Sequence, residues 1–154
     1  MIRLRVVLFY GGVMNKFEKC LNDRKIIRIK TNKEMIDREI QDAKYDLNKA
    51  EESLNRDDAK WASIQAYYSM FHSAKALILR KGYRERSHYC LMVALEELYG
   101  KTGELDKEHI ENFEICMDIR HEADYGMTYD VESATMCIEA SYKLLEKSKK
   151  ILGK

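Results

Sequence analysis

From residue 31 onward, apolar side chains recur at helical spacing almost without interruption. Ile36, Ile40, Ala43, Leu47, Ala50 and Leu54 follow one another at intervals of four and three, which places them on one stripe of a helix and leaves charges on the other face. Thr31 and Glu34 have the spacing of a capping box, in which each side chain answers an orphan N–H at the helix start. Asp57 or Asp58 caps a second helix that runs to about residue 80, and Gly82 permits the turn out of it. Ser87 can cap a third over 88–99, ended by Gly100, and Asp106 a fourth over 107–125, with Gly126 as its stop. Asp130 starts a fifth, whose stripe is Cys137, Ile138, Ser141, Leu144, Leu145, Ser148, Ile151 and Leu152. A short helix over 15–21 precedes these, and 25–30 alone hints at extended chain. Short loops between long helices imply antiparallel neighbours. The expected fold is all-α, an up-and-down antiparallel bundle of four to five helices.

Two of these helices depart from simple amphipathicity. The second, AKWASIQAYYSMFHSAKALILR, carries apolar or aromatic residues around most of its circumference, so it should be the central, most buried helix. Its polar sector is narrow: Gln65, Ser69, Ser73 and Arg80, with His72 at one edge. Trp61, Tyr68, His72 and Lys75 form a row at helical spacing. That row is either core aromatics with polar tips, or a partly open face that stacks on a base or meets a partner. In the fourth helix, Ile110, Phe113, Met117, Arg120, Asp124 and Met127 alternate by three and four. Arg120 and Asp124 thus fall in an apolar row, where an unpaired charge is costly and a structural helix would carry leucine. Such i, i+4 pairs on exposed helices are worth only about 0.2–0.5 kcal/mol, and the acid-first order is the better one. Added stability is a weak reason for the pair. A binding site or subunit interface around Arg120 is the stronger reading.

Composition narrows the function classes. The 154 residues suit one domain, taken as 14–154, and 45% apolar with 34% charged residues is a globular balance. There is no proline, which suits a nearly all-helical chain because proline is expelled from helix interiors. A formal net charge of +1 gives no global pull toward nucleic acid or a membrane, although a local basic patch stays open. Residues 1–13, MIRLRVVLFYGGV, have arginines inside the apolar run and no small-residue cleavage site, and are too short to span a bilayer. They are read as an upstream-start extension or a disordered arm, and the protein as cytoplasmic and not membrane-bound. Cys20, Cys90, Cys116 and Cys137 lie far apart without C-x-x-C pairs, so they are read as buried thiols in a reducing compartment, with no metal site. Phosphate-binding glycine loops, H-E-x-x-H and G-x-S-x-G are all missing, and no cofactor is expected.

Three segments carry a family resemblance: KWASIQAYYSMFHSAKALILRKGY over 60–83, RSHYCLMVALEELYG over 86–100 and IRHEADYG over 119–126. Together they resemble the HEPN family of small prokaryotic helical bundles, in a branch with a YYxMFH helix and an R-x-x-A-D-Y motif, across about 14–152. The resemblance implies a homodimer that places the arginine motifs of two subunits across one cleft. It also implies a minimal nucleotidyltransferase partner, in modules of toxin–antitoxin type, whose transferase can modify a tyrosine near the motif. Many members cut RNA without metal, using an arginine followed four to six residues later by histidine. Here Arg120 matches the arginine, but Tyr125 stands five residues on, and a tyrosine of ordinary pKa about 10 is a poor base. The only nearby histidine downstream is the adjacent His121, on a different face of the helix. His72 or His88 could supply the imidazole from another helix. Arg120 and Tyr125 are the candidate catalytic pair; Arg120, Asp124, Tyr68, His72, Lys75, His88 and His121 are the candidate binding residues. The leading expectation is a non-catalytic or weakly catalytic subunit that pairs with a nucleotidyltransferase and binds nucleotide or RNA phosphate. The alternatives are a metal-independent endoribonuclease toxin using Arg120, and a structural dimerising scaffold with Arg120 and Asp124 sealed inside.

Overall fold

The computed structural model describes residues 14–125 and 129–154. Its elements, in order, are α1 (Lys16–Asn22), β1 (Ile26–Arg28), α2 (Lys33–Asn55), α3 (Ala59–Arg80), β2 (Tyr83–Glu85), α4 (His88–Leu95), α5 (Lys107–Asp124) and α6 (Val131–Ile151). A π-helical turn, Glu96–Gly100, continues α4. The expected all-α bundle is present, with the bundle helices preceded by the short helix expected over 15–21. The expected extension at 1–13, the stop at Gly126 and the last stripe position, Met127, lie outside the described residues.

Most helix starts follow from their caps. Asn15, Asn32, Asp58, Ser87 and Asp130 each accept a hydrogen bond from the backbone N–H three residues on. For α2 this corrects the expected Thr31–Glu34 capping box. Asn32 takes the cap by accepting from Met35 N at 2.9 Å, and the Thr31 hydroxyl instead donates to the Leu79 carbonyl at 2.9 Å. A side chain one position closer to the first turn wins the cap, and the freed threonine pins the start of α2 to the end of α3. Of the two aspartates before α3, Asp58 is the cap, while Asp57 takes the left-handed turn with φ 59°.

As expected, α3 is central, packing on α2, α4, α5 and α6. Its serines do not form a solvent-facing sector. Ser63, Ser69 and Ser73 are fully buried, and the Ser69 hydroxyl donates to the Ala43 carbonyl of α2 at 2.7 Å. Ser141 of α6 likewise donates to the Ala66 carbonyl of α3 at 3.0 Å. Small residues with hydroxyls that bond a neighbouring backbone let helices approach closely, although the buried Ser73 hydroxyl has no partner among the described residues. The predicted stripe of α2 holds: Ile36, Ile40, Ala43, Leu47 and Ala50 are all buried.

The extended hint at 25–30 is strand β1, paired antiparallel with β2 in the register Ile26↔Glu85, Ile27↔Arg84, Arg28↔Tyr83. Gly82, with φ +86°, makes the turn out of α3 that brings β2 alongside. The expected single helix over 88–99 is two pieces, because the wider π-helical turn follows Leu95 and buries Tyr99, whose hydroxyl donates to the Leu77 carbonyl at 2.6 Å.

The cysteines require a second correction. Cys20 of α1 and Cys90 of α4 form a disulfide with a Cα–Cα distance of 5.8 Å, not a pair of free thiols. Their separation of 70 residues hid the pairing, since only the packing of α1 on α4 brings them together. Cys116 and Cys137 are buried free thiols as expected. The Cys137 sulfur and burial together push the Cys116 thiol above the ordinary thiol range.

Candidate functional site

Three helices converge on Arg120. Tyr67, Tyr68 and Phe71 sit on α3, where i and i+4 spacing brings the Tyr67 and Phe71 rings within 6.3 Å, tilted by 46°. His88 opens α4, and Arg120 and Asp124 lie in the last turns of α5. The Arg120 guanidinium lies 5.2 Å from the Tyr67 ring centre and 5.7 Å from that of Tyr68, both within cation–π range. One terminal nitrogen, Nη1, donates to Asp124 Oδ2 at 2.8 Å. Its Nε is buried and has no hydrogen-bond partner. The buried row of α5 runs Ile110, Phe113, Cys116 and Ala123, so Asp124 lies one position off it. The Arg120 side chain is 17% exposed and that of Asp124 35%, so the pair stands at the margin of the core and is not sealed inside.

His88 is the one imidazole in this group. Its ring stacks on Phe71 at 4.5 Å with planes 27° apart, and Nδ1 is 2.8 Å from the Tyr67 hydroxyl. Phe113 of α5 meets Tyr67 edge-on at 5.5 Å from beneath. Burial pushes the Tyr67 phenol far above its ordinary range, and the charge of Arg120 offsets only part of this. Burial pushes the His88 imidazole down, and Arg120 and Lys75 push it further against the opposing charge of Asp124. The free protein therefore keeps Tyr67 protonated and His88 neutral near pH 7.

His109, at the start of α5, is likewise pushed down by burial. Both imidazoles bind protons more readily in the unfolded chain, where the pKa is about 6.5. As pH falls through that value the unfolded state takes up protons that the native state refuses, so stability declines until the native imidazoles titrate in turn. Denaturant midpoints should accordingly be lower at about pH 5.5 than at about pH 7.5, and the difference should shrink in His88→Asn and His109→Asn. A midpoint that rises on acidification over this window contradicts the assignment.

The other candidates lie elsewhere. The His72 Nδ1 bonds Glu39 Oε2 at 2.6 Å, and its Nε2 faces Asp46 Oδ2 at 3.5 Å, across the α2–α3 contact. Lys75 pairs with Glu39 at 3.6 Å and Glu85 at 3.4 Å. Both belong to a half-buried ion-pair network with α2 and β2, although the Lys75 ammonium also lies 5.4 Å over the Phe71 ring. The same network brings Glu39, Asp42 and His72 ligand atoms within 4.8 Å of one another, with Lys75 already serving as counter-charge. His121 and Tyr125 are exposed, their rings 4.7 Å apart beyond the pair, and Tyr125 is 70% exposed at the end of α5. The predicted row on α3 therefore divides: Tyr68 joins Arg120, His72 and Lys75 turn to α2, and Trp61 stands half exposed. Sequence reasoning missed Tyr67 and Phe71. The doubled tyrosine of the YYSMFH block was the available signal, since neighbouring positions on a helix can face two environments at once.

Fold and site together define a small helical-bundle protein whose distinguishing chemistry is an arginine–carboxylate pair set among tyrosines and one imidazole. The model of the HEPN domain matches residues 36–152, and the chain belongs to the HEPN domain family. It is similar to a Methanocaldococcus jannaschii protein named "Putative toxin", with 30% identity over 130 residues, 83% of this chain and 88% of that one. It also resembles two proteins named UPF0332. The Archaeoglobus fulgidus one is 29% identical over 91 residues (58% of this chain, 72% of its own length). The Thermotoga maritima one is 28% identical over 86 residues (56% and 65%). No described helix is long and apolar enough to cross a membrane.

Proposed function

We propose that this protein is the HEPN subunit of a two-component, toxin–antitoxin-like module, that it dimerises, and that it binds a phosphate group of nucleotide or RNA through Arg120. The observation that carries the reading is the state of the guanidinium: flanked by two tyrosine rings, held by Asp124 and left with a buried, unpartnered Nε. A buried donor without an acceptor is a cost that a bound anion removes. The aromatic wall beside it suits a base or ribose next to the phosphate. The name of the Methanocaldococcus relative supports the toxin–antitoxin setting. In this module the partner is a minimal nucleotidyltransferase, and the complex works in the cytoplasm.

Co-expression with a nucleotidyltransferase encoded beside the gene tests the partner. A complex should persist through size exclusion at micromolar concentration, and two independently eluting proteins would remove the partner from the reading. A second reading is a metal-independent endoribonuclease with Arg120 on the scissile phosphate, the imidazole of His88 standing in the same group. Cleavage of structured RNA in chelator, abolished by Arg120→Ala, distinguishes it from binding alone.

A further inference from the structure

The proton of His88 can be located from its neighbours. Tyr67 is fully buried; its hydroxyl lies 2.8 Å from Nδ1 of His88 and also meets the Arg120 guanidinium, which can only donate. A phenol has one proton to give, and a neutral imidazole has one nitrogen that donates and one that accepts. If Tyr67 accepted from Nδ1–H, its own proton would be left in the core with no acceptor among the described residues. If Tyr67 donates, both groups are satisfied. Stacking on Phe71 at 4.5 Å fixes the plane of the ring, and the Ser87 cap, which accepts from Cys90 N at 3.0 Å, fixes the turn that carries it.

We infer that Tyr67 donates to His88 and so holds the neutral imidazole with its proton on Nε2, making His88 a second hydrogen-bond donor, beside Arg120, for the oxygens of a bound phosphate. This rests on the phosphate-binding reading above and assigns His88 a role in it. The bond from Tyr67 to His88 is at Nδ1, and Nε2, unlike the buried and unpartnered Nε of Arg120, is not closed off in the core, so it is open to a ligand. The charged groups acting on the ring are Arg120 and Asp124 from α5 and Lys75 from α3, and the titratable Tyr67 and Tyr68 flank it. Two cations against one carboxylate favour an anionic ligand. The assignment also bears on the chemistry. An Nε2 that already carries its proton cannot take one from a ribose 2′-hydroxyl. In the free protein His88 is thus a donor to phosphate, not a replacement for the base that the arginine motif lacks.

Two measurements test this, one of which needs no ligand. Long-range proton–nitrogen correlation spectra of 15N-labelled protein at about pH 8, where imidazole is neutral, should show the Nε2–H form for His88. Tyr67→Phe, which keeps the ring and removes the hydroxyl, should shift His88 toward a mixture of tautomers. An Nδ1–H form in the wild type overturns the inference. In the second, a short 5′-phosphorylated RNA oligonucleotide is titrated by fluorescence polarisation. His88→Ala should weaken binding about tenfold, the scale of one hydrogen bond to a charged group. His88→Gln, whose amide N–H can stand in for Nε2–H, should recover most of that loss, and His88→Asn should not. Equal affinity of wild type and His88→Ala overturns the donor role while leaving the Arg120 site standing. A wild type that does not bind the oligonucleotide overturns both, whatever the tautomer.

Discussion

Arg120→Ala should weaken binding of a 5′-phosphorylated RNA oligonucleotide by roughly 30- to 150-fold, the equivalent of about 2–3 kcal/mol for losing charge-assisted hydrogen bonds to an anion. The loss is large because the side chain does several things from one position. It supplies the charge, its buried Nε lacks an acceptor, and it is clamped by Asp124 and the faces of Tyr67 and Tyr68 so that little freedom is lost on binding. Arg120→Lys should recover only part of the affinity, since an ammonium has neither the planar fork nor the stacking surface. Stability should change much less, by about 1–2 kcal/mol at most, because Asp124 is exposed enough to be solvated when its partner is gone. A variant that binds as well as wild type would take the phosphate site away from Arg120. One that unfolds outright would show that the pair serves the core.

The largest effect on stability is expected at Phe113. Its ring is fully buried, meets Tyr67 edge-on at 5.5 Å and closes the space between α3 and α5 beneath the site. Phe113→Ala removes the ring and leaves a cavity, at a cost of about 3–5 kcal/mol. Against a usual total of about 5–15 kcal/mol that is a major fraction. It corresponds to a fall in melting temperature of roughly 6–20 °C for a chain of this size. Phe113→Leu should cost much less, because most of the volume is kept. A fall under about 3 °C for the alanine variant would mean that the ring is not a keystone of the packing. Binding should weaken in parallel, since Tyr67 loses the surface that holds it against His88 and Arg120.

The sequence exposed those features whose physics is local. The stripe Ile36 to Ala50 and the caps at Asp58, Ser87 and Asp130 are written in spacing and in short polar side chains, and they appear as expected. Arg120 was visible for the same reason: a charge in an apolar row breaks a periodicity that can be read directly. The rest depended on tertiary partners. Cys20 and Cys90 lie 70 residues apart, and no periodicity encodes which helix faces the end of another. His72 and His88 could not be told apart along the chain, yet one meets Glu39 and the other Tyr67. Thr31 was the expected cap, but its hydroxyl meets the Leu79 carbonyl of a different helix and Asn32 caps instead. A one-dimensional pattern says that a residue is out of place, but the fold is needed to say what it meets there.

The disulfide divides the protein in a way that the helices do not. It closes the chain from Cys20 to Cys90 into a covalent ring that contains all of α2 and α3, and with them Tyr67 and His88. Arg120 and Asp124 lie outside, on an arm attached at one end only. If α5 leaves the bundle, the aromatic and imidazole half of the site stays tethered as a unit while its guanidinium departs. A backbone cut within the ring leaves the two pieces linked until a reductant arrives, whereas after a cut between α4 and α5 only packing holds the arginine to the ring.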